Sequence, residues 1–570
     1  MHRKFILANP YNGGITLKQY AIGLDFGTLS VRALLMDIET GDEIAVSVFE
    51  YPHGVMETTL PSGKRIPDGF ALQHPQDYID GLIFVVRNVL ESSMINPANI
   101  VGIGIDFTAS TVFPVKADGT PLCMLEAFIN EPHAYVKLWK HHGAEPEAQY
   151  IESVVKERGE SWIDFCGGKV SSEWMLPKVL ETLNHAPQVY ESAYRYIEAM
   201  DWITWILTGQ ETRSINGAGY KAFYNDFTGY PSKEFFRSLD IRMENYTEDK
   251  LNAPIKKLGE TAGYLTSDMA NTLGLHIGTP IGVPMIDAHC GVLGGGVTKP
   301  GEMMLVIGTS FAHHMMSEKD ADVYGICAQV KDGILPGYYA YEAGQSGGGD
   351  IYAWFIENCI PEKYEIEARE KGIGIHQLLC EKLQNYRIGQ SGLIALDWFN
   401  GVRSPLTDFD LNGLVLGMNL QTKPEDIYMA LIEATGFGTR MIVGEFEKAG
   451  ISIESIVMSG GIPLKNPMLV QIYADILNRE IRVCQTTQAG AVGAAILGVA
   501  AAPSTVTGYK DLVEVAETLG KKGDKVYLPN SCNVDAYAAL YHEYITLHEY
   551  FGKGTNDVMK RLNKMRRESF

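Results

Sequence analysis

Positive charge is scarce in this sequence. Its 48 lysines and arginines face 69 aspartates and glutamates, a formal charge of −21, and such a field repels a polyanion unless basic residues gather into a patch. The one basic cluster, Lys560 to Arg567, is short and reads as a solvated helix end, so no nucleic-acid partner is expected. Paired cysteines are missing too. The eight cysteines (Cys123, Cys166, Cys290, Cys327, Cys359, Cys380, Cys484 and Cys532) include no CxxC spacing, which argues against a disulfide scaffold or zinc ribbon and for reduced thiols in a cytoplasmic protein. Long apolar runs are also absent. The stretch AGAVGAAILGVAAA, Ala489 to Ala502, is too short to span a bilayer and reads as a buried helix with glycines at packing spacing, so no membrane partner is expected. Residues 1–19 hold only a four-residue apolar run, too little for a secretory signal, and read as a loose leader.

What is present is an α/β pattern. A chain of 570 residues predicts two or more domains. From Tyr20, YAIGLDFG, SVRALLMDI and EIAVSVFEY read as three strands joined by tight turns; a proline-started helix follows at Pro75, and a strand, turn and strand from Ile100. Residues from about 131 to 260 are richer in aromatics and helical periodicity, a helical elaboration on the first domain. The opening hairpin is then echoed, the turn at Thr28 (DFGT) by the turn at Thr309 (VIGT). An internal duplication follows: two related α/β domains around a cleft. The expected division is 20–290, 291–550 and a tail 551–570.

Four motifs carry chemistry. Asp25 ends the first strand at a turn where Gly27 admits backbone N–H groups close to a phosphate; it reads either as a ligand for a hard cation such as Mg2+ or as a carboxylate capping its own turn. Gly308, Thr309 and Ser310 form a second small-residue turn able to donate to phosphate, and two such turns suggest one nucleotide clamped across the cleft. Gly460 and Gly461 (MSGGIPLKNP) leave room for a base or ribose against the backbone. Finally, PMIDAHCGVLGGG offers Asp287 as a metal ligand beside His289 and Cys290, as a catalytic base, or as a polar strand end. On an extended strand, residues 287 and 289 share a face and 290 points away. No second ligand pair follows at zinc spacing, so a zinc site is disfavoured and His289 and Cys290 read as local packing.

In combination these motifs resemble the FGGY family of carbohydrate kinases. The resemblance runs from about Tyr20 to Ala502 through GIDFTAS, IDAHCG, IGTS, SPLTDFDLNGLVLGM and SGGIPLKNPMLVQIYADIL. It implies two actin-like, ribonuclease H-like ATPase domains, with ATP and Mg2+ as cofactors. Asp287 falls at the family's general base and Asp25 at the Mg2+ position. Gly27, Thr28, Gly308, Thr309 and Ser310 are expected to hold phosphates, and Gly460, Gly461 and Asn466 to bracket the adenosine. Glycerol-acting members carry an Arg-Glu pair where this chain has Thr108-Ala109. The segments LWKHHGA, GYKAFYN and YEAGQSGGGD are most like the branch that acts on L-ribulose, which places Lys221, Glu342, Asp287 and the backbone of Ala109 around the sugar. The expected reaction is therefore phosphorylation of L-ribulose to L-ribulose 5-phosphate, a step of L-arabinose catabolism, by a cytoplasmic enzyme able to form a homodimer. Kinases for D-ribulose, D-xylulose or ribitol, and an actin-like ATPase with no sugar acceptor, stay open.

Overall fold

A computed structural model describes residues 18–568; all but the last two residues of the expected leader lie outside them. The first three strands form as their patterns predict: β1 (Tyr20–Phe26), β2 (Ser30–Asp37) and β3 (Glu43–Glu50) make an antiparallel meander. Helix α1 (Pro75–Ser93) has Pro at its start, where no backbone donor is needed, and the His74 ring accepts from the N–H of Gln76. It buries Tyr78, Leu82, Val85, Val86 and Val89, each worth roughly 1.5–3 kcal/mol, and ends where Met94 turns left-handed (φ 54°). β4 (Ile100–Phe107) then pairs parallel to β1.

The helical elaboration is present, and it carries a small sheet of its own, formed by Leu72–Gln73, Val136–Lys137, Val112–Val115 and Arg195–Glu198. From it come α2 (Met175–His185) and α3 (Ile215–Ala222). The chain returns to the first sheet through β5 (Thr261–Tyr264), β6 (Pro280–Gly282) and β7 (Met285–Ile286), and passes straight into α4 (Asp287–Gly294). The sheet order is β5-β6-β4-β1-β2-β3, with β7 also pairing with β4.

The second half repeats the plan. β8 (Glu302–Ile307), β9 (Phe311–Ser317), β10 (Ala328–Lys331) and β11 (Tyr339–Gln345) form the antiparallel part. After the long helix α5 (Pro424–Lys448), β12 (Ser455–Ser459) returns parallel to β8; α6 (Pro467–Leu477) and β13 (Glu480–Val483) extend the parallel part. The order β10-β11-β9-β8-β12-β13, closed by Val526–Tyr527, matches the first sheet in its meander and parallel crossover.

The halves are interleaved. Helix α7 (Ala489–Ala501), the small-residue run, lies on the first sheet and on α4. Side chains are excluded there: a Cβ at Gly23 or Gly102 would stand 2.0 Å from the carbonyl oxygen of Ala491 or Gly498, and one at Gly294 1.9 Å from that of Ala489. Of the glycines after Asp287, Gly294 thus admits helix α7, whereas a Cβ at Gly295 would meet Met304 of β8 at 2.7 Å. The β10–β11 hairpin reaches the same way, and Val330, Ile334, Leu335 and Ala340 join the core of the first half. Among the described residues, no single helix is long and apolar enough to cross a membrane. Val558–Glu568 forms a closing helix whose Lys560 and Arg567 pair with Asp408 and Asp410.

Candidate active site

Three adjacent parallel strands deliver carboxylates to one edge of the first sheet. Asp25 on β1 is in register with Asp106 on β4, and β7 beside them leads into Asp287; ligands of open α/β sheets gather at such strand ends. Asp106 is fully buried, and no N–H or hydroxyl donor reaches either of its oxygens. Burial, with the charges of Asp25 and Asp287, drives its pKa well up. Burial likewise raises Asp25, opposed by Arg32, whose Nε lies 3.4 Å from Asp25 Oδ2. The amino end of α7 faces this pair: a Cβ at Gly490 would lie 3.1 Å from Asp106 Oδ2 and 3.5 Å from Asp25 Oδ2. Two carboxylates held together, one of them with no N–H or hydroxyl donor, fit a hard divalent cation. Asp106 had no assigned role in the sequence reading; the signal was its repeat of Asp25, an apolar strand ending Ile-Asp-Phe against Leu-Asp-Phe.

Asp287 is the first residue of α4, not the end of a strand, and this corrects the face argument. Residues 287 and 290 lie about one helical turn apart, so Cys290 turns with Asp287 towards Asp106, whereas His289 turns to Glu342. The three still fail to converge on a metal, for a helical reason. Asp287 Oδ1 accepts from the N–H of Ala288 at 2.7 Å. Burial, then the charge of Asp25, pushes the Asp287 pKa up to about 7, the range suited to a general base.

Lys221 and Glu342 do meet. Lys221 closes α3, Glu342 sits mid-strand on β11, and Nζ lies 3.2 Å from Oε2, with both side chains mostly buried. Burial alone would discharge both groups, but each is held charged by the other: Lys221 is raised and Glu342 lies well below the carboxylate range. His289 Nε2 stands 3.4 Å from the same Oε2, so its local contacts include a residue expected at the sugar. Arg403 stands close by. A Cβ at Gly344, two residues beyond Glu342, would lie 3.4 Å from its Nη1.

Ala109 lies in a loop fixed from beneath. Ser110 adopts φ 52°, its carbonyl accepts from Lys178 Nζ at 2.6 Å, and Glu198 accepts from the N–H of Thr111 at 3.0 Å. Lys178 and Glu198 are both buried, and burial brings the first down and the second up to about 7.

The two small-residue turns keep less backbone free than expected. The N–H of Gly27 is already bonded to the Ser30 carbonyl at 2.9 Å, and that of Gly308 to the Ser310 carbonyl at 3.2 Å. Thr28, Thr309 and Ser310 have N–H groups with no internal acceptor among the described residues, free to donate to a ligand. The Thr28 hydroxyl accepts from the Trp139 indole at 3.1 Å. Gly308, Thr309, Gly461 and Asn466 line one cavity of 1760 Å³ in the second half, with Tyr352, Gln384, Arg387 and Gln471; Gly27, Thr28, Ser310 and Gly460 are not among its lining residues. Gly460 (φ 111°) serves backbone packing, since a Cβ would stand 2.2 Å from the Ile307 carbonyl. Asn466 caps α6, accepting from the N–H of Leu469.

The chain is 48% identical to a ribulokinase of Geobacillus thermodenitrificans over 546 residues, covering 96% of this chain and 97% of that one. It is 43% identical to a ribulokinase of Mycolicibacterium smegmatis, with 96% of each covered. Among solved structures, a gluconate kinase from Lactobacillus acidophilus superposes with a TM-score of 0.78 at 20% identity, covering 94% of this chain and 99% of the other. A ligand-bound xylulose kinase from the same organism gives 0.76 at 20%, over 93% and 98%; at that identity the likeness speaks for the fold alone. The model of the N-terminal domain of FGGY carbohydrate kinases matches residues 20–294, and that of the C-terminal domain matches residues 303–502. The chain therefore belongs to the FGGY family of carbohydrate kinases.

Proposed function

We propose that the protein transfers the γ-phosphoryl group of ATP to L-ribulose, forming L-ribulose 5-phosphate in L-arabinose breakdown. The observation that carries this reading is the buried Lys221–Glu342 ion pair, both of whose charges act on Asp287, in a chain nearly half identical to ribulokinases. An ammonium donating to ketose oxygens and a carboxylate accepting from hydroxyls select a polyhydroxy ketone. The backbone of Ala109 adds a fixed contact.

Asp287 takes the proton from the attacking hydroxyl, and its elevated pKa makes it basic enough near neutrality. Thr28, Thr309 and Ser310 donate N–H groups to the phosphate chain, and the cavity beside Gly461 and Asn466 receives the nucleoside. Asp25, with Asp106 beside it, is the seat for Mg2+, which neutralises phosphate charge when bound. Closure of the cleft excludes water, the competing acceptor. A coupled ADP-release assay over L-ribulose, D-ribulose, D-xylulose and ribitol tests the reading. L-ribulose is expected to give the highest kcat/KM; ATP turnover indifferent to every sugar would refute it.

A further inference from the structure

Asn216 is fully buried at the start of α3, and its carboxamide orientation is fixed by what surrounds it. Its Oδ1 accepts from the N–H of Ile286 at 2.9 Å, and its Nδ2 donates to the Gly333 carbonyl at 2.7 Å. A backbone N–H requires an acceptor and a carbonyl requires a donor, so the amide cannot be turned over without breaking both bonds. The same Nδ2 lies 2.9 Å from His289 Nδ1. That ring nitrogen must therefore be the acceptor, which leaves the proton of a neutral imidazole on Nε2. Burial lowers the His289 pKa, in keeping with a neutral ring. The ring is walled by Tyr220 at 4.2 Å and His314 at 4.8 Å, so it has no room to swing away.

Nε2 faces Glu342 Oε2, the oxygen that also receives Lys221 Nζ. Lys221 donates to Oε2 at 3.2 Å and His289 Nε2 lies 3.4 Å from the same oxygen, while Oε1 has no hydrogen bond among the described residues. An acceptor so oriented suits a sugar hydroxyl. The Ile286 N–H held by Asn216 immediately precedes Asp287, so one buried amide steadies the segment carrying the base and, through His289, the carboxylate that grips the sugar.

We propose that Asn216 and His289 are positioning residues for the ketose: Asn216 sets the His289 tautomer, and His289 aims Glu342 Oε1 at a substrate hydroxyl. This deepens the L-ribulose reading and rests on it; the wild-type sugar panel tests that reading by itself. His289→Phe keeps the ring's bulk and loses its donor. The KM for L-ribulose rises about ten- to hundredfold, the range for losing a hydrogen bond to a charged group, while the KM for ATP stays within about twofold. His289→Gln can still donate towards Glu342, and recovers most of the loss. An unchanged sugar KM in the Phe variant, or equal shifts in both KM values, overturns the proposal. Should the Phe variant not fold, Asn216→Asp removes the Nδ2 donor by a near-isosteric change and is expected to raise the sugar KM alone. Independently of activity, 15N NMR of the wild type, with the signal identified by its absence from the Gln variant, shows His289 as the neutral Nε2–H tautomer at pH 7. An Nδ1–H tautomer or an imidazolium there refutes the relay.

Discussion

At the scale of single residues, the site is a trade between chemistry and stability. Asp287 has a folded-state pKa of about 7, above the 3.8 of a free aspartate. Folding therefore opposes its ionisation, and the stability it leaves intact at acid pH is lost as pH rises from about 4 through 7. Asp287→Asn removes that cost. The variant is expected to melt a few degrees above the wild type at pH 8 without Mg2+, with the gain shrinking towards pH 4, while kcat falls by orders of magnitude and sugar and ATP binding persist. Near-wild-type kcat in this variant would remove Asp287 from the role of base. For the free wild-type enzyme, kcat/KM is expected to fall towards tenfold per pH unit below about 7, as the base becomes protonated; a flat profile down to pH 5.5 would contradict it. Asp25, Asp287, Lys221 and Glu342 were legible because each stands in a motif. Asp106 and His289 were not, since their roles depend on neighbours 81 and 53 residues away that only the fold supplies: Asp106 on Asp25, His289 on Glu342.

At the scale of elements, the opening meander, the helix at Pro75 and the strand at Ile100 followed from periodicity, whereas the boundary at Asp287 did not. Met285–Ile286 is a two-residue strand that runs directly into a helix, and an apolar run that short has no period from which to tell one from the other. The loop bearing Ala109 shows the reverse case, a simple sequence whose support is remote. Lys178 on α2 reaches the carbonyls of Ser110 and Leu138 at 2.6 and 2.8 Å. Lys178→Met leaves the Ser110 carbonyl without a donor, the Leu138 carbonyl with only the His141 N–H, and Glu198 without the positive charge that opposes its burial. Through the loss at Ser110, beside Ala109, it is expected to lower Tm and to raise the KM for the sugar roughly tenfold, with the ATP KM little changed. Loss of stability with both KM values intact would make Lys178 purely structural.

At the scale of the whole molecule, the duplication was legible in two echoed hairpins, but the interleaving was not. Nothing in the spacing of AGAVGAAILGVAAA says which sheet it will cover. The answer lies in complementary surfaces: Gly23, Gly102 and Gly104 on the first sheet leave a channel that only a helix of small residues fills. The first half is incomplete without α7 and the β10–β11 hairpin. Residues 20–294 expressed alone are expected to be insoluble or to unfold without a cooperative transition; a soluble fragment with a sharp thermal midpoint would refute the point. There is a consequence for biosynthesis. The sheet begun at Tyr20 is finished by a helix ending at Ala501, so at ~5–20 residues per second the ribosome leaves its apolar face bare for tens of seconds. During that interval the nascent chain depends on whatever shields it, and slower translation of the second half lengthens the exposure.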